Sequence, residues 1–176
     1  MKKNDSGITL IALVMTIIVL IIIVSISSYE GSRMIATSKV QTLETNMLTI
    51  QAKAKGYAEE IDAKIYTESQ KDTARNKKFI EKGFSGPITL NKEFLDQVEL
   101  KIRNSYVAYS TKGNSENEGK VLTDMGLSEI KDEEYIVVYS LTDYRIMDVV
   151  YPAGINYEDE TFYTLSSLQS ALKGQE

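Results

Sequence analysis

No charged residue occurs between Asp5 and Glu30, and inside that gap Ile8 to Ile26 reads ITLIALVMTIIVLIIIVSI. Only Thr9, Thr16 and Ser25 interrupt the apolar run, and each can return its hydroxyl to a backbone carbonyl one turn earlier. A helix over this run rises ~1.5 Å per residue and reaches roughly 28 Å, which matches the ~30 Å hydrocarbon layer of a bilayer. Ile and Val are weak helix formers in water, but in lipid the backbone must satisfy its own hydrogen bonds, so helix is favoured. A strand of this length would lie far outside the usual range. The pattern predicts a membrane-inserted helix. Lys2, Lys3 and the amino terminus flank its short side, so the positive-inside rule keeps that end cytoplasmic and sends the rest of the chain outside. A removable signal peptide is the competing expectation. Against it stand an apolar run longer than the usual ~7–15 residues and a poor small-residue cleavage site at Val24–Ser28.

The chain has 176 residues with no Cys, no His and no Trp. Disulfide scaffolds, thiolate metal sites and Ser–His or Cys–His hydrolase machinery are thereby excluded. An exterior domain without disulfides suits a bacterial cell surface. The net charge of -5 is unevenly spread: residues 30–115 carry a net +3 and residues 116–176 a net -9. A strongly acidic distal end repels phosphate backbones, so direct nucleic-acid binding is not expected. The basic residues Lys71, Arg75, Lys77, Lys78 and Lys82 read as a solvated helix end or loop.

The residues Lys2-Lys3-Asn4-Asp5-Ser6-Gly7, followed by Ile8-Thr9-Leu10-Ile11-Ala12, resemble the amino terminus of type IV prepilins and pseudopilins, in a Gram-positive-like variant. In that family a short basic leader ends in Gly, a membrane-embedded prepilin peptidase cuts after it, and the new first residue is N-methylated. The resemblance implies cleavage between Gly7 and Ile8 and methylation of Ile8. Ile stands where Phe is more usual, and Ala12 stands where most of the family carries a Glu that pairs with the amine of a neighbouring subunit. An amine buried without that partner costs several kcal/mol. Ala12 therefore suits either a subunit at a filament tip or a filament variant that manages without the ion pair.

Past Tyr29 the apolar residues Val40, Leu43, Met47, Ile50, Ala54, Tyr57 and Ile61 recur at alternating spacings of three and four, with charged residues between them. That stripe predicts a helix running from about Ile8 to about Ile65. Further along, a polar loop is expected over 66–91 with some helix near Asn76–Lys82, and a helix capped by Asn91 through Arg103. Ser105–Thr111 reads as a strand, and Val121–Met125 as a short helix ended by Gly126. Tyr135–Leu141 and Arg145–Tyr151 flank a three-residue connection suited to a hairpin, with Pro152–Gly154 ending the second strand. A strand over Thr161–Thr164 and a helix over Ser166–Lys173 close the chain. The expected fold class is α+β: a long N-terminal helix, membrane-embedded in its first half, packed on a small antiparallel sheet as in pilins. The expected division is a leader over 1–7, a transmembrane or filament-core helix over 8–29, an amphipathic continuation over 30–65 and an extracellular head over 66–176.

Candidate chemistry is thin. Asn114, Glu116, Asn117 and Glu118 form one weak calcium candidate, and Glu158, Asp159 and Glu160 another, since neither stretch alternates its oxygen ligands as a calcium loop does. Some pseudopilin heads bind calcium near the carboxyl end, so the resemblance favours the second group. No other cofactor is expected. Tyr106, Tyr109, Tyr135, Tyr139 and Tyr151 suit half-buried strand faces. The expected function is structural rather than enzymatic: a subunit of a type IV pilus-like or pseudopilus filament. Its implied partners are like subunits, a prepilin peptidase, a platform membrane protein and a cytoplasmic ATPase. The competing readings are a membrane-anchored extracellular binding domain that never polymerises and, more remotely, a carboxylate-dependent surface enzyme.

Overall fold

The computed structural model describes residues 6–64, 67–98, 105–113 and 116–173, with the side chains of 6–12, 22–23, 25–33 and 68–69 outside the description. The chain divides into two compact units, Met1–Lys39 and Val40–Glu176. Helix α1 (Ser6–Asp62) supplies the first unit and opens the second. In the first unit every described large apolar side chain is exposed, from Leu13, Val14 and Met15 to Met34 and Ile35.

The expected membrane-embedded first half of α1 does not hold among the described residues. Among the described residues no helix is long and apolar enough to cross a membrane. The membrane-embedded first half gives way to a helix with an exposed apolar surface.

The second unit is α+β and is built on one sheet. Its elements follow α1 in the order α2 (Glu68–Glu81), β1 (Ser85–Ile88), α3 (Lys92–Gln97), β2 (Tyr106–Ser110), α4 (Lys120–Asp124), a 3₁₀ turn (Ser128–Ile130), β3 (Ile136–Ser140), β4 (Arg145–Tyr157), β5 (Glu160–Thr164) and α5 (Leu165–Lys173). The five strands form an antiparallel meander in sequence order.

Register explains the two cores. Tyr109 lies opposite Val137, which lies opposite Val149, and successive residues of a strand point to opposite faces. These three therefore share a face with Tyr139 and Ile146, and pack with Val40, Leu43, Met47, Ile50 and Ala54 of α1. Ala108, Val138, Ile136 and Val150 point the other way and meet Leu90, Phe94 and Val98 on and beside α3. Covered on both sides, β3 is buried at all five positions, which accounts for its unbroken IVVYS run.

Local departures from the expected elements have physical causes. α2 begins earlier than expected because Thr67 and Gln70 form a reciprocal capping box, Thr67 N–H donating to Gln70 Oε1 at 2.9 Å and Gln70 N–H to Thr67 Oγ1 at 3.4 Å. α3 ends at Gln97 with Val98 extended, the remainder of the expected helix to Arg103 lies outside the described residues, and Asn91 at its start makes no side-chain cap. β4 passes through Pro152 and Gly154. Pairing with β3 has ended at Val150, so a proline without an N–H removes no bond on that side. At Gly86 φ is +150°, and a Cβ there would lie 2.8 Å from the Ala108 carbonyl oxygen, so only glycine lets β1 approach β2.

Candidate functional site

The first candidate surface is apolar. Leu13, Met15, Leu20, Ile21, Val24, Met34 and Ile35 on α1 are each more than half exposed. Exposed apolar area on this scale is characteristic of protein-contact and membrane-contact surfaces. Gly7, Ile8, Thr9, Leu10, Ile11 and Ala12 precede Leu13 on helical backbone, while Lys2 and Lys3 lie outside the described residues.

The basic residues of α2 do not gather into an open patch. Lys78 pairs with Glu60 of α1, Lys77 with Glu81 at 3.8 Å, and the Lys82 ammonium lies 5.1 Å from the Tyr57 ring. Arg75 is buried, a role its place in a Lys-rich run gave no sign of. Its guanidinium lies 3.9 Å from the centre of the Tyr139 ring, with Nη1 2.6 Å from Asp72 Oδ1 and Nη2 3.7 Å from Asp62 Oδ1. A buried cation is tolerated only with such pairing, so Arg75 ties the end of α1, helix α2 and strand β3 together. Nearby, the Tyr109 hydroxyl donates to Asn76 Oδ1, and burial pushes that phenol up to about 12.

A second polar cluster sits where β4 meets α5. Asp148 is almost fully buried and accepts from the Val149 N–H at 2.9 Å, the Ser166 N–H at 3.2 Å and the Ser166 hydroxyl. Burial raises its carboxyl above the usual range, and the bonds from Ser166 and Val149 oppose that rise. Asp148 thus serves the first turn of α5 as a cap borrowed from a strand. Gln97 completes the arrangement: its Nε2 donates to the Thr161 carbonyl at 2.8 Å, and its Oε1 accepts from the Tyr163 N–H at 2.8 Å and the Ser167 hydroxyl at 3.0 Å. One amide side chain thereby occupies the open edge of β5 as another strand would. Every polar group in this cluster has a local structural use.

Among the described residues no group of three or more acidic side chains could hold a metal. Glu158 and Asp159 are both left-handed, with φ of 50° and 66°, which is what a two-residue hairpin turn between β4 and β5 demands. With Glu160 they make an exposed acidic tip. At the opposite end of β4, a groove of about 490 Å³ is lined by Leu48, Ala52 and Lys55 of α1 and by Arg145, Ile146 and Met147. Comparison with known protein families, curated proteins and solved structures finds no match.

Proposed function

We propose that this chain is a structural subunit of a type IV pilus-like or pseudopilus filament, cut by a prepilin peptidase after Gly7 so that Ile8 becomes the methylated first residue. The observation that carries the reading is one of order. A leader with Lys2 and Lys3 ends in Gly7, in the first turn of a long helix whose described apolar side chains are exposed, ahead of an α+β unit.

The physical logic is burial. Moving a large apolar side chain out of water contributes ~1.5–3 kcal/mol, and Leu13 to Ile21, Val24, Met34 and Ile35 present such side chains. A bundle of the same helix from other copies covers them all with one repeated contact. The resemblance to pilins implies an external motor and platform for assembly, with no chemistry required within the chain. Ala12 offers no carboxylate to a neighbour's amine, which suits a tip subunit or a filament variant without that pair. The assembled subunit belongs to the bacterial cell surface, with other pilin-like subunits, the peptidase, a platform protein and a cytoplasmic ATPase as partners. It performs no catalysis.

The test is the extracellular shear fraction of the bacterium that makes the chain. The wild type is expected in sheared filaments, and Gly7→Val, which spoils the residue before the cut, is expected to stay with the cells at full leader length. A wild-type chain absent from the shear fraction would overturn the reading.

A further inference from the structure

Strand β4 carries opposite chemistry at its two ends. At its start, Arg145 and the α1 residue Lys55 flank the groove lined by Leu48, Ala52, Ile146 and Met147. Lys55 has an exposed i,i+4 partner in Glu59 at 3.7 Å, the kind of pair that contributes little and exchanges readily. Arg145 makes no ion pair among the described residues; its Nε faces only the Met147 sulfur at 3.1 Å, a weak acceptor. At the far end of the strand, Tyr157 pairs with Glu160 across a turn whose two residues are both left-handed, so the acidic tip is held in one shape. Twelve residue steps separate Arg145 from Tyr157, and at ~3.3 Å each that is at most ~40 Å of strand, shortened where the register of β4 shifts against β3 and β5. A tip and a groove so far apart on one strand cannot meet within one copy.

We infer that copies of this chain associate head to tail, the acidic β4–β5 turn of one copy seating in the groove between α1 and β4 of the next. Charge complementarity selects the occupant. The groove offers two cations beside an apolar floor, and the tip offers consecutive carboxylates on a preorganised turn that loses little freedom on docking. The groove volume falls within the ~300–1,000 Å³ of clefts that receive a ligand. Donor and acceptor surfaces differ, so the contact is heterologous and repeats from copy to copy instead of closing on a two-fold axis. This goes beyond the burial of α1 in a helical bundle, because it assigns the second unit its own lateral contact.

The chain has no Cys, so engineered thiols report on a clean background. Full-length protein carrying both Ala52→Cys, on the exposed wall of the groove, and Asp159→Cys is to be oxidised and run on a non-reducing gel. A ladder of dimers, trimers and higher species is expected, and each single-Cys variant is expected to stop at dimers. Adding Arg145→Glu to the double-Cys chain should lower the yield roughly three- to tenfold, and a further Glu160→Lys should recover it. The absence of species beyond dimer in the double-Cys chain would overturn the inference, as would a yield indifferent to Arg145→Glu. The amino-terminal peptide of the same sample separates the two readings. A chain cut after Gly7 that forms no ladder defeats the head-to-tail contact alone, and a ladder from an uncut chain defeats the processing alone.

Discussion

Phe79 offers the sharpest test of how the second unit is held together. It is fully buried on α2, stacked on Tyr109 with ring centres 4.5 Å apart and planes 13° apart, and it meets Phe84 edge-on at 5.0 Å and Tyr57 at 6.3 Å. Those contacts join α2 to the sheet, to the approach to β1 and to α1. Phe→Ala in a core costs ~3–5 kcal/mol through lost transfer energy and the cavity left behind. Each well-placed aromatic pair adds ~0.5–1.5 kcal/mol beyond area, which puts Phe79→Ala near ~4 kcal/mol. In thermal unfolding that is a drop of about 10–15 °C for a unit of this size. The next residue supplies the control: Ile80 is 52% exposed, and Ile80→Ala should stay within ~0.5 kcal/mol. Urea unfolding followed by the near-ultraviolet dichroism of tyrosine suits a chain with eleven Tyr and no Trp. A loss below ~1.5 kcal/mol for Phe79→Ala, or equal losses at 79 and 80, would refute the packing described for α2.

Three further outcomes are expected. Because the folded Asp148 carboxyl titrates above its unfolded value, the native state binds more protons in that window and stability falls as pH rises through it; Asp148→Asn should flatten that slope, and an unchanged slope between pH ~3 and ~7 would contradict it. Gly86→Ala should cost ~2 kcal/mol or more, since φ is +150° and the added Cβ meets backbone, whereas Gly56→Ala, with open space on α1, should gain up to ~1 kcal/mol; thermal melts of both variants check the pair. Gln97→Leu should cost ~1–3 kcal/mol and speed hydrogen exchange at the Tyr163 amide, because the bonds to Thr161 and Tyr163 are lost together.

Periodicity explains which parts of this fold are legible in sequence. The stripe Val40, Leu43, Met47, Ile50, Ala54 and Ile61 is buried as spaced, with one change of phase: Ala58 is buried and Tyr57 only partly so. The hairpin of β3 and β4 is legible because its strands are β-branched and its connection short. Elements whose signal is local chemistry rather than period are harder to see. β1 is Ser-Gly-Pro-Ile, a composition that reads as loop until β2 is there to pair with it. α2 is polar along most of its length, and its one clear mark is the Thr67–Gln70 capping box. Pro152 looks like a strand end only to a reader who does not know that β3 has already stopped pairing.

The functional residues divide the same way. The leader pattern and the apolar start of α1 stand in the sequence as contiguous strings. Arg75, Asp148 and Gln97 acquire their roles from partners in other elements, and no spacing rule brings Arg75 to Tyr139 or Gln97 to Tyr163. Residues 8–29 read as a membrane crossing from the length and hydropathy of the run, the Lys2 and Lys3 flank and the resemblance to prepilins. The described residues support an exposed apolar helix surface and no membrane span.

The central claim is that this chain is a processed filament subunit, and the mass of its amino-terminal peptide tests that most directly. Recovered from cells with and without the candidate prepilin peptidase, the peptide is predicted to begin at N-methylated Ile8 in the first case and to retain the leader in the second. A chain that keeps Met1 in both, or that begins near Ser27 or Ser28, would contradict the account.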